Sequence, residues 1–300
     1  MAKIKGFKAL RYNENKINNI SEVIAPPYDV INKDQQELLY SMHENNIIKV
    51  DLNKTEGDKK YDEASRLFGN WIENEILIEE DMESIYPYHQ KFTFKGKEYE
   101  RLGIVALVKL SDFNEKVVLP HEETFSGPKA DRLKLMNSCK TNISPIFGVY
   151  DNSDDTVEKV VAQFIKNNNP IIEAKSLDGI TNKIWKISDS KTITQISSFF
   201  DSKEILIADG HHRYETSLNY SKANSSNEAS YVMFYLTGTI QNGLLINPTH
   251  RVLNETLSSE EITKNVIENF ITEDWLEDMN EDSLEAEELL GESADSWKTL

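Results

Sequence analysis

Residues 204–215 read Glu-Ile-Leu-Ile-Ala-Asp-Gly-His-His-Arg-Tyr-Glu, an apolar run that ends in Asp-Gly and continues into polar residues. The apolar run predicts a buried strand, and the residues after Gly210 predict a helix that includes Leu218. A strand-to-helix turn at a glycine leaves the backbone N–H groups of the first helical turn without partners inside the helix. Those groups, the helix dipole and Arg213 together predict an anion site formed by Gly210, His211 and Arg213.

A structural interpretation of the same turn stays open. Asp209 would then cap the helix, and His211 and His212 would only provide hydrogen-bond partners for Asp209. Two adjacent histidines rarely reach one metal ion, because neighbouring helical side chains point about 100° apart. We predict a metal role for Asp209, through a magnesium ion that arrives with a nucleotide.

Outside this turn, the sequence alternates between segments with the apolar periodicity of helices and segments with that of strands. Apolar residues at helical spacing predict helices over about 60–76 and 157–165, and alternation predicts a long β-hairpin over 86–110. Shorter strands are predicted at 145–150, 184–188, 204–208, 231–237 and 243–246. Ser258 with Glu261 predicts a capping box before one more helix. Because the strands are neither segregated nor in strict βαβ alternation, the fold class is mixed α+β with a mixed sheet.

Composition limits what kind of protein this is. The chain has 300 residues, 39% of them hydrophobic, which is enough for a packed core. No apolar run is long enough to cross a bilayer, and the N-terminus has no secretory signal pattern. A single cysteine, Cys139, cannot form an internal disulfide, so we expect a cytoplasmic protein with no membrane partner.

Charge is unevenly distributed. The net charge is −18, and residues 257–300 hold 14 acidic residues against two lysines, a net of −12. So acidic a chain repels phosphate backbones, which argues against nucleic acid as a partner. We therefore predict one elaborate catalytic or nucleotide-binding domain over residues 1–256 and an acidic, partly helical tail over 257–300.

A second polar segment follows a predicted strand. It runs from His121 and Glu122 through Ser126-Gly127-Pro128, which predicts a loop, into a helix with Lys129, Arg132 and Lys134. Basic residues at this spacing share a helix face and suit a phosphate group. The alternative is that they pair with nearby carboxylates on a solvated face.

Two further segments carry polar groups next to prolines. Residues 25–30, Ala-Pro-Pro-Tyr-Asp-Val, form a stiff stretch that holds Asp29, a candidate general base or magnesium ligand. Residues 247–251 end in the pair His250 and Arg251, a candidate phosphate contact. Each segment also has a structural interpretation: residues 25–30 as a stiff turn, and residues 247–251 as a surface loop. The sequence contains none of the GxGxxG, GxxxxGK[ST] and GxSxG motifs.

Taken together, these segments resemble the uncharacterised DUF1015 family. The similar stretches are APPYDVI at 25–31, HEETFSGPKADRLKL at 121–135, NISPIFGVY at 142–150, IADGHHRYET at 207–216 and NPTHRVL at 247–253. Members of the family are longer and end in a Pro-Pro-Lys-Ser-Thr type segment. This chain lacks that segment, so any part of a site that the segment supplies in other members is expected to be missing here.

The turn at residues 208–213 also resembles, more loosely, the phosphate-binding turn of the ParB/sulfiredoxin superfamily. That superfamily includes CTP-binding ParB proteins, ATP-using sulfiredoxin and ADP-dependent free-serine kinases. The resemblance covers Gly210, His211, His212 and Arg213, and it implies that they cradle nucleotide phosphates. The sulfiredoxin branch needs a cysteine where this chain has His211, and the ParB branch needs basic helices, so the kinase branch is the one implied.

The resulting hypothesis is a phosphotransferase that uses ATP or ADP with magnesium and a small hydroxyl metabolite, with serine or phosphoserine the favoured substrate. The alternatives are a nucleotide sensor without turnover and a protein-interaction module. The sequence does not indicate an oligomeric state. The predicted catalytic residues are Asp29, His121, Glu122, Asp209 and His212. The predicted phosphate-binding residues are Lys129, Arg132, Gly210, His211, Arg213, His250 and Arg251.

Overall fold

A computed structural model describes residues 1–246 except 123, 125 and 225, together with residues 258 and 264. These residues form eleven strands and seven α-helices. The strands are β1 (Ile4–Lys5), β2 (Leu10–Tyr12), β3 (Leu77–Glu79), β4 (Tyr86–Phe94), β5 (Lys97–Lys109), β6 (Val118–Leu119), β7 (Ile146–Tyr150), β8 (Ile172–Lys175), β9 (Thr181–Ile184), β10 (Ile205–Asp209) and β11 (Tyr231–Gly238). The helices are α1 (Lys33–Met42), α2 (Ile48–Asp51), α3 (Lys59–Glu73), α4 (Ser126–Cys139), α5 (Thr156–Asn167), α6 (Ser190–Phe200) and α7 (His211–Ala223).

Nine of these strands form one mixed sheet, which confirms the predicted α+β class. Eight strands follow the order β6-β10-β7-β11-β5-β4-β9-β8, and β1 pairs with β5 beyond the end of β4. The pairs β6/β10 and β7/β11 are parallel, and the other pairs in the sheet are antiparallel. Strands β2 and β3 form a separate two-stranded sheet.

The long hairpin of β4 and β5 forms where the sequence predicts it. Its two-residue turn is Lys95-Gly96, with φ of 47° and 74°, and Phe94 pairs with Lys97 across it. Two positive φ angles give a turn whose twist matches that of the flanking strands, and glycine is favoured there. The hairpin supplies the central strand β5, which binds β4, β11 and β1.

Apolar side chains form two separate cores. The larger lies on one face of the sheet and holds Phe234, Phe200 and Tyr214, all fully buried. The smaller gathers β2, β3 and the buried face of α3, which includes Phe68 and Trp71. Burial of one large apolar side chain contributes about 1.5–3 kcal/mol, so these clusters account for the packing of α3 and α7.

The structure corrects one predicted strand. Residues 243–246 do not form a strand. The side-chain amide of Gln241 both accepts a hydrogen bond from the Leu102 N–H (2.9 Å) and donates one to the Leu102 carbonyl (2.7 Å). A side chain therefore satisfies the β5 groups that a further strand would have paired with.

Two other predicted element boundaries differ from those in the structure. Strand β9 ends at Ile184, where the predicted strand begins, and beyond it Ile187 makes only an isolated bridge with Ile85. Ser126, Gly127 and Pro128 form the start of α4 and not a loop before it. Proline is tolerated in the first turn of a helix, where its missing N–H would have no intrahelical acceptor.

The chain divides into two compact units, Met1–Leu244 and Leu245–Leu300. The predicted boundary after residue 256 falls within the second unit. The predicted helix after Ser258 and the acidic tail lie outside the described residues, apart from positions 258 and 264. Within the described part of the chain, no helix combines the length and apolarity needed to span a membrane.

Candidate functional site

Sheet topology brings three polar loops to one edge. Strands β6 and β10 are neighbours and run parallel, so the residues that follow Leu119 and Asp209 leave the sheet on the same side. Strand β7 runs antiparallel to β10 and starts at that side, where Phe147 pairs with Asp209. The loop before β7 therefore joins the other two. In open α/β sheets, ligands commonly bind outside the carboxyl ends of strands.

Gly210 makes the turn from β10 into α7. Its φ of +96° is a conformation that L side chains rarely adopt, and a Cβ at this position would lie 2.9 Å from Cζ of Arg213. The Arg213 guanidinium therefore lies against the glycine, where it donates to Asp209 Oδ2 and to the Pro145 carbonyl. The next residue, Tyr214, anchors the helix through its hydroxyl, which donates to the Ser111 carbonyl (2.8 Å).

Two histidines and a glutamate meet at the start of α7. His211 is buried, and its Nε2 accepts a hydrogen bond from the His121 backbone N–H at 3.2 Å. The rings of His121 and His211 pack edge to face, 4.5 Å apart. Nδ1 of His211 lies 3.0 Å from Glu122 Oε1, outside hydrogen-bond geometry. Since Nε2 accepts, the hydrogen-bond network assigns the proton to Nδ1, on the Glu122 side.

Burial sets the charge of His211. It lowers the pKa of this imidazole, and the neighbouring Glu122 carboxylate opposes the shift only in part. A neutral imidazole keeps Nε2 as an acceptor. His211 therefore holds the loop after β6 against α7, while the exposed imidazole of His121 faces outward.

Helix α4 packs along α7 and places Lys129 beside it. Nζ of Lys129 donates to Glu215 Oε2 (2.7 Å), and the Thr124 hydroxyl donates to Oε1 of the same carboxylate (2.6 Å). Burial alone would raise the pKa of Glu215, but these two hydrogen bonds lower it. The lysine is therefore paired with a carboxylate of α7.

One turn further along α4, Arg132 is buried among carboxylates. Its guanidinium donates to Asp51 Oδ1 (2.7 Å) and to the Asp51 carbonyl (3.0 Å), and it also binds the carboxylate of Asp131. The guanidinium carbon lies 4.0 Å from the centre of the Tyr28 ring. Burial raises the pKa of Asp51, and the charge of Arg132 counteracts that rise. These contacts tie α4 to α2 and to the segment around residue 28.

A cavity of about 40 Å³ lies between α4, α7 and the loop before β7. Arg132 and Arg213 both line it, together with Asp51. Asp29 is exposed and lies near this cavity. Burial raises the pKa of Tyr28 and of Asp51, and the charge of Asp29 adds to both shifts. Residues separated by as many as 184 positions, from Asp29 to Arg213, therefore contribute to one region.

A family model matches residues 4–295 of the chain. The chain belongs to the DUF1015 family, described as a protein of unknown function. No curated protein and no solved structure matches it. Membership of DUF1015 confirms the first resemblance, and the looser resemblance to the ParB/sulfiredoxin superfamily stays a prediction.

Most of the residues predicted from the DUF1015 segments fall into the region just described. His121, Glu122, Asp209, Gly210, His211 and Arg213 surround the start of α7. His212 lies in the same first turn, half-buried. Lys129 and Arg132 line the α4 side, whereas Lys134 points elsewhere and pairs with exposed Asp58. His250 and Arg251 lie outside the described residues.

Sequence reasoning missed Asp51 and Tyr28, which contact Arg132. The sequence does hint at a buried Asp51, because this residue directly follows Ile47, Ile48 and Val50, an apolar run that one lysine interrupts. A carboxylate at the end of an apolar segment is buried only when it is paired. Its partner, Arg132, is 81 positions away, so the pairing itself was not visible in the sequence.

Metal-binding side chains are not clustered in the part of the chain that the structure describes. Among them, no group of three or more histidine, cysteine, aspartate or glutamate side chains is placed to hold an ion. Glu122 and Asp209 each have about half of the side chain exposed. They suit an ion that is shared with a phosphate, because magnesium commonly takes one or two protein carboxylates and keeps its other ligands from substrate and water.

Proposed function

We propose that the first turn of α7 binds the phosphates of a nucleotide, and that the protein transfers a phosphoryl group between that nucleotide and a small hydroxyl compound. The observation that carries this proposal is the convergence of three segments on that turn. His121 and Glu122 come from the loop after β6, Lys129 from α4, and Arg213 from α7 itself.

The start of α7 has the properties of a phosphate site. The N–H groups of its first turn have no acceptor within the helix, and the helix dipole favours negative charge there. Gly210 carries no side chain, and the Arg213 guanidinium lies where a Cβ would be, so a cation lies beside the N–H groups of the first turn. Tyr214 is fully buried and hydrogen-bonded, which fixes the helix on the sheet. The turn is therefore a rigid support for phosphate oxygens.

Cations near this turn are already paired with carboxylates in the free chain. Lys129 binds Glu215, and Arg213 binds Asp209. A phosphate group competes for Arg213, since a guanidinium binds phosphate oxygens through two parallel hydrogen bonds. A phosphate group that replaced Asp209 at Arg213 would leave the Asp209 carboxylate available, and Asp209 would then be a ligand for a magnesium ion that accompanies the nucleotide.

His121 is the residue that we assign as general base. Its imidazole is exposed beside the turn, and its Nε2 makes only a long contact of 3.4 Å with the Ala208 carbonyl. Buried His211 is already an acceptor for the backbone of His121, so it serves to position that loop. Glu122 and exposed Asp29 are the remaining carboxylates available to a proton or a magnesium ion. Phosphoryl transfer needs chiefly such positioning and charge neutralisation.

A reaction assay tests the proposal directly. The full chain is incubated with ATP or ADP, magnesium and hydroxyl metabolites, with serine and phosphoserine first, and products are followed by phosphorus NMR. We expect a phosphorylated product whose formation requires the nucleotide. Nucleotide binding without any product would indicate a nucleotide sensor and not an enzyme. Absence of both nucleotide binding and product would overturn the proposal.

A binding measurement on one variant tests the role of the turn. We expect Arg213→Lys to weaken nucleotide affinity by about 1–3 kcal/mol, the scale of a hydrogen bond to a charged group. The matched control is Arg66→Lys, an arginine that pairs with Glu63 on the exposed side of α3, and it should leave affinity unchanged. A destabilised Arg213→Lys protein that still binds nucleotide normally would show that Arg213 is a structural partner of Asp209 only.

A further inference from the structure

The cavity between α4 and α7 has a mixed lining. Besides Arg132, Arg213 and Asp51, polar Asn142 and Ser144 line it, and so do apolar side chains such as Leu135, Met136, Ile143 and Val232. Its volume of about 40 Å³ is room for a few water molecules or for one small polar group. Both arginine side chains are about nine-tenths buried.

Arg213 is incompletely satisfied at this cavity. Its two terminal nitrogens donate to the Pro145 carbonyl and to Asp209, but its buried Nε–H has no hydrogen-bond partner. Leaving a buried donor unpaired costs about 1–3 kcal/mol, more when the group is charged. Unpaired buried groups of this kind are uncommon in native proteins and often mark a place for a ligand or water.

Arg132 differs from Arg213 in this respect. Four of its five N–H donors are used, two by Asp51 and two by Asp131. The carboxylate of Asp51 is therefore neutralised by Arg132 and does not leave a net negative charge in the cavity. Each guanidinium nitrogen of Arg132 has a partner, whereas the buried Nε of Arg213 has none. An unpaired donor on a cationic group favours an anion.

We propose that this cavity binds the carboxylate of the acceptor substrate, which is then a small hydroxy acid or hydroxy amino acid. The proposal rests on the proposed function and names its substrate class. In this proposal the unpaired Nε–H of Arg213 donates to one carboxylate oxygen, and Ser144 and Asn142, which also line the cavity, supply the donors to the other. A planar carboxylate suits both the small volume and the planar guanidinium edge better than a tetrahedral phosphate does.

Arg213 connects the two parts of the site. Its guanidinium lies against Gly210, at the start of α7, and it also lines the cavity. A substrate whose carboxylate sits in the cavity therefore keeps its hydroxyl within a few bonds of the phosphate turn. A carboxylate and a hydroxyl on neighbouring carbons match that short separation.

Matched pairs of compounds test this inference on the full chain. Serine is compared with ethanolamine and glycerate with glycerol, since each second compound keeps the hydroxyl and lacks the carboxylate. Inorganic phosphate is the third probe. We expect the two acids to raise the melting temperature in a saturable manner and the two alcohols not to do so. A response to phosphate, which can bind at the first turn of α7, should not depend on Ser144.

Ser144→Val partly fills the cavity without touching the start of α7. We expect it to weaken binding of the acids by about tenfold or more, the loss of one hydrogen bond to a charged group, and to leave nucleotide affinity unchanged. Ser144→Ala removes the same hydroxyl but adds no bulk, so it should weaken acid binding by about tenfold and no more, and it controls for folding.

Outcomes of these measurements separate the two proposals. Nucleotide binding with no response to any acid, or equal responses to acids and alcohols, would overturn the carboxylate site alone. A response to phosphate that Ser144→Val abolishes would make the cavity a phosphate subsite and would also overturn it. Acid binding that depends on Ser144, in a chain that binds no nucleotide, would support the cavity and overturn the proposed function.

Discussion

At the scale of single residues, His211 connects the loop after β6 to the start of α7. Its buried imidazole accepts the His121 backbone N–H, and its other nitrogen faces Glu122. Protonation would turn that acceptor into a donor and break the contact with the loop. The charge state of one side chain therefore controls the position of His121, which we assign as general base.

The lowered pKa of His211 predicts how stability depends on pH. Burial holds the pKa of the folded chain below the ordinary value of 6.5, so the unfolded chain binds the proton more tightly. Stability is then fully present above about pH 6.5 and is lost as the pH falls through the lowered folded value. Melting temperatures from pH 8 to pH 5 measure this loss, and His211→Gln, which keeps an acceptor near Nε2 but does not titrate, should reduce it.

A second variant separates charge from hydrogen bonding. His211→Asn is too short to present an acceptor at the Nε2 position, so we expect it to be less stable than His211→Gln at every pH. If both variants keep the pH dependence of the natural chain, another group causes it and the assignment to His211 is wrong.

Gly210 offers a prediction about backbone strain. Gly210→Ala places a Cβ at a φ of +96° and 2.9 Å from Arg213, and the left-handed conformation with this contact should cost about 1–3 kcal/mol. Gly57→Ala is the matched control, because Gly57 has a φ of +64° but nothing within 4 Å; it should cost only about 1–2 kcal/mol. Urea unfolding measures both, and an equal loss would show that Arg213 does not resist the methyl group.

At the scale of elements, α4 joins the two cores of the molecule. Leu135 belongs to the smaller core, while the helix packs along α7 of the larger one. Asp131 strengthens this link, because it accepts hydrogen bonds from Lys60 and Tyr61 of α3 at 2.6 and 2.8 Å. The helix that carries Lys129 and Arg132 is therefore fixed on both sides.

Acid should weaken this link at a defined pH. Burial alone would raise the pKa of Asp131, but hydrogen bonds from Lys60 and Arg132 lower it from 3.8 to about 2. The stabilisation, about 2 kcal/mol, is present above pH 4 and is lost as the pH falls toward 2. We expect Asp131→Asn to lose it already at pH 7, as measured by urea unfolding.

Asp58→Asn provides the control for that variant. Asp58 pairs with Lys134 on the surface of the same two helices, with most of its side chain exposed. Exposed pairs contribute little, so its unfolding free energy should stay nearly unchanged. An equal loss in both variants would mean that burial of the Asp131 network adds nothing.

Elements with a strong local signal were predicted well from the sequence. The hairpin of β4 and β5 and the helices α3 and α5 follow apolar periodicity, and the turn at Gly210 follows from one glycine between a strand and a helix. Helix α1 was missed, although Asn32 and Gln35 form a complete capping box at its start. The helix has a weak apolar face, with Leu39 its one buried residue, so apolar periodicity did not indicate it.

Contacts between distant segments were beyond sequence reasoning. The site depends on the parallel pairing of β6 with β10, and β6 has only two residues. So short a strand carries no periodic signal. The partner of Arg132 was missed because a buried ion pair between α2 and α4 depends on how two helices that are distant in the chain pack in the smaller core.

At the scale of the whole molecule, charge is separated between the two parts of the chain. Residues 257–300 carry a net charge of −12 of the total −18. In the described residues, the cations of the candidate site are each paired with a carboxylate. A phosphate group that binds Lys129 or Arg213 must therefore compete with a carboxylate, and further negative charge close to the site would oppose its binding.

This repulsion predicts that the acidic tail does not take part in binding. Residues 273–300 hold 11 acidic residues and one lysine, and such a segment near bound phosphate would be strongly unfavourable. We expect a chain truncated after Thr272 to bind nucleotide within about threefold of the full chain at 0.15 M salt, where charges are screened beyond about 8 Å. At low salt the truncated chain should bind slightly more tightly, because long-range repulsion has been removed. Calorimetric titration of both chains at the two salt concentrations measures this, and a complete loss of binding on truncation would show that the tail supplies part of the site.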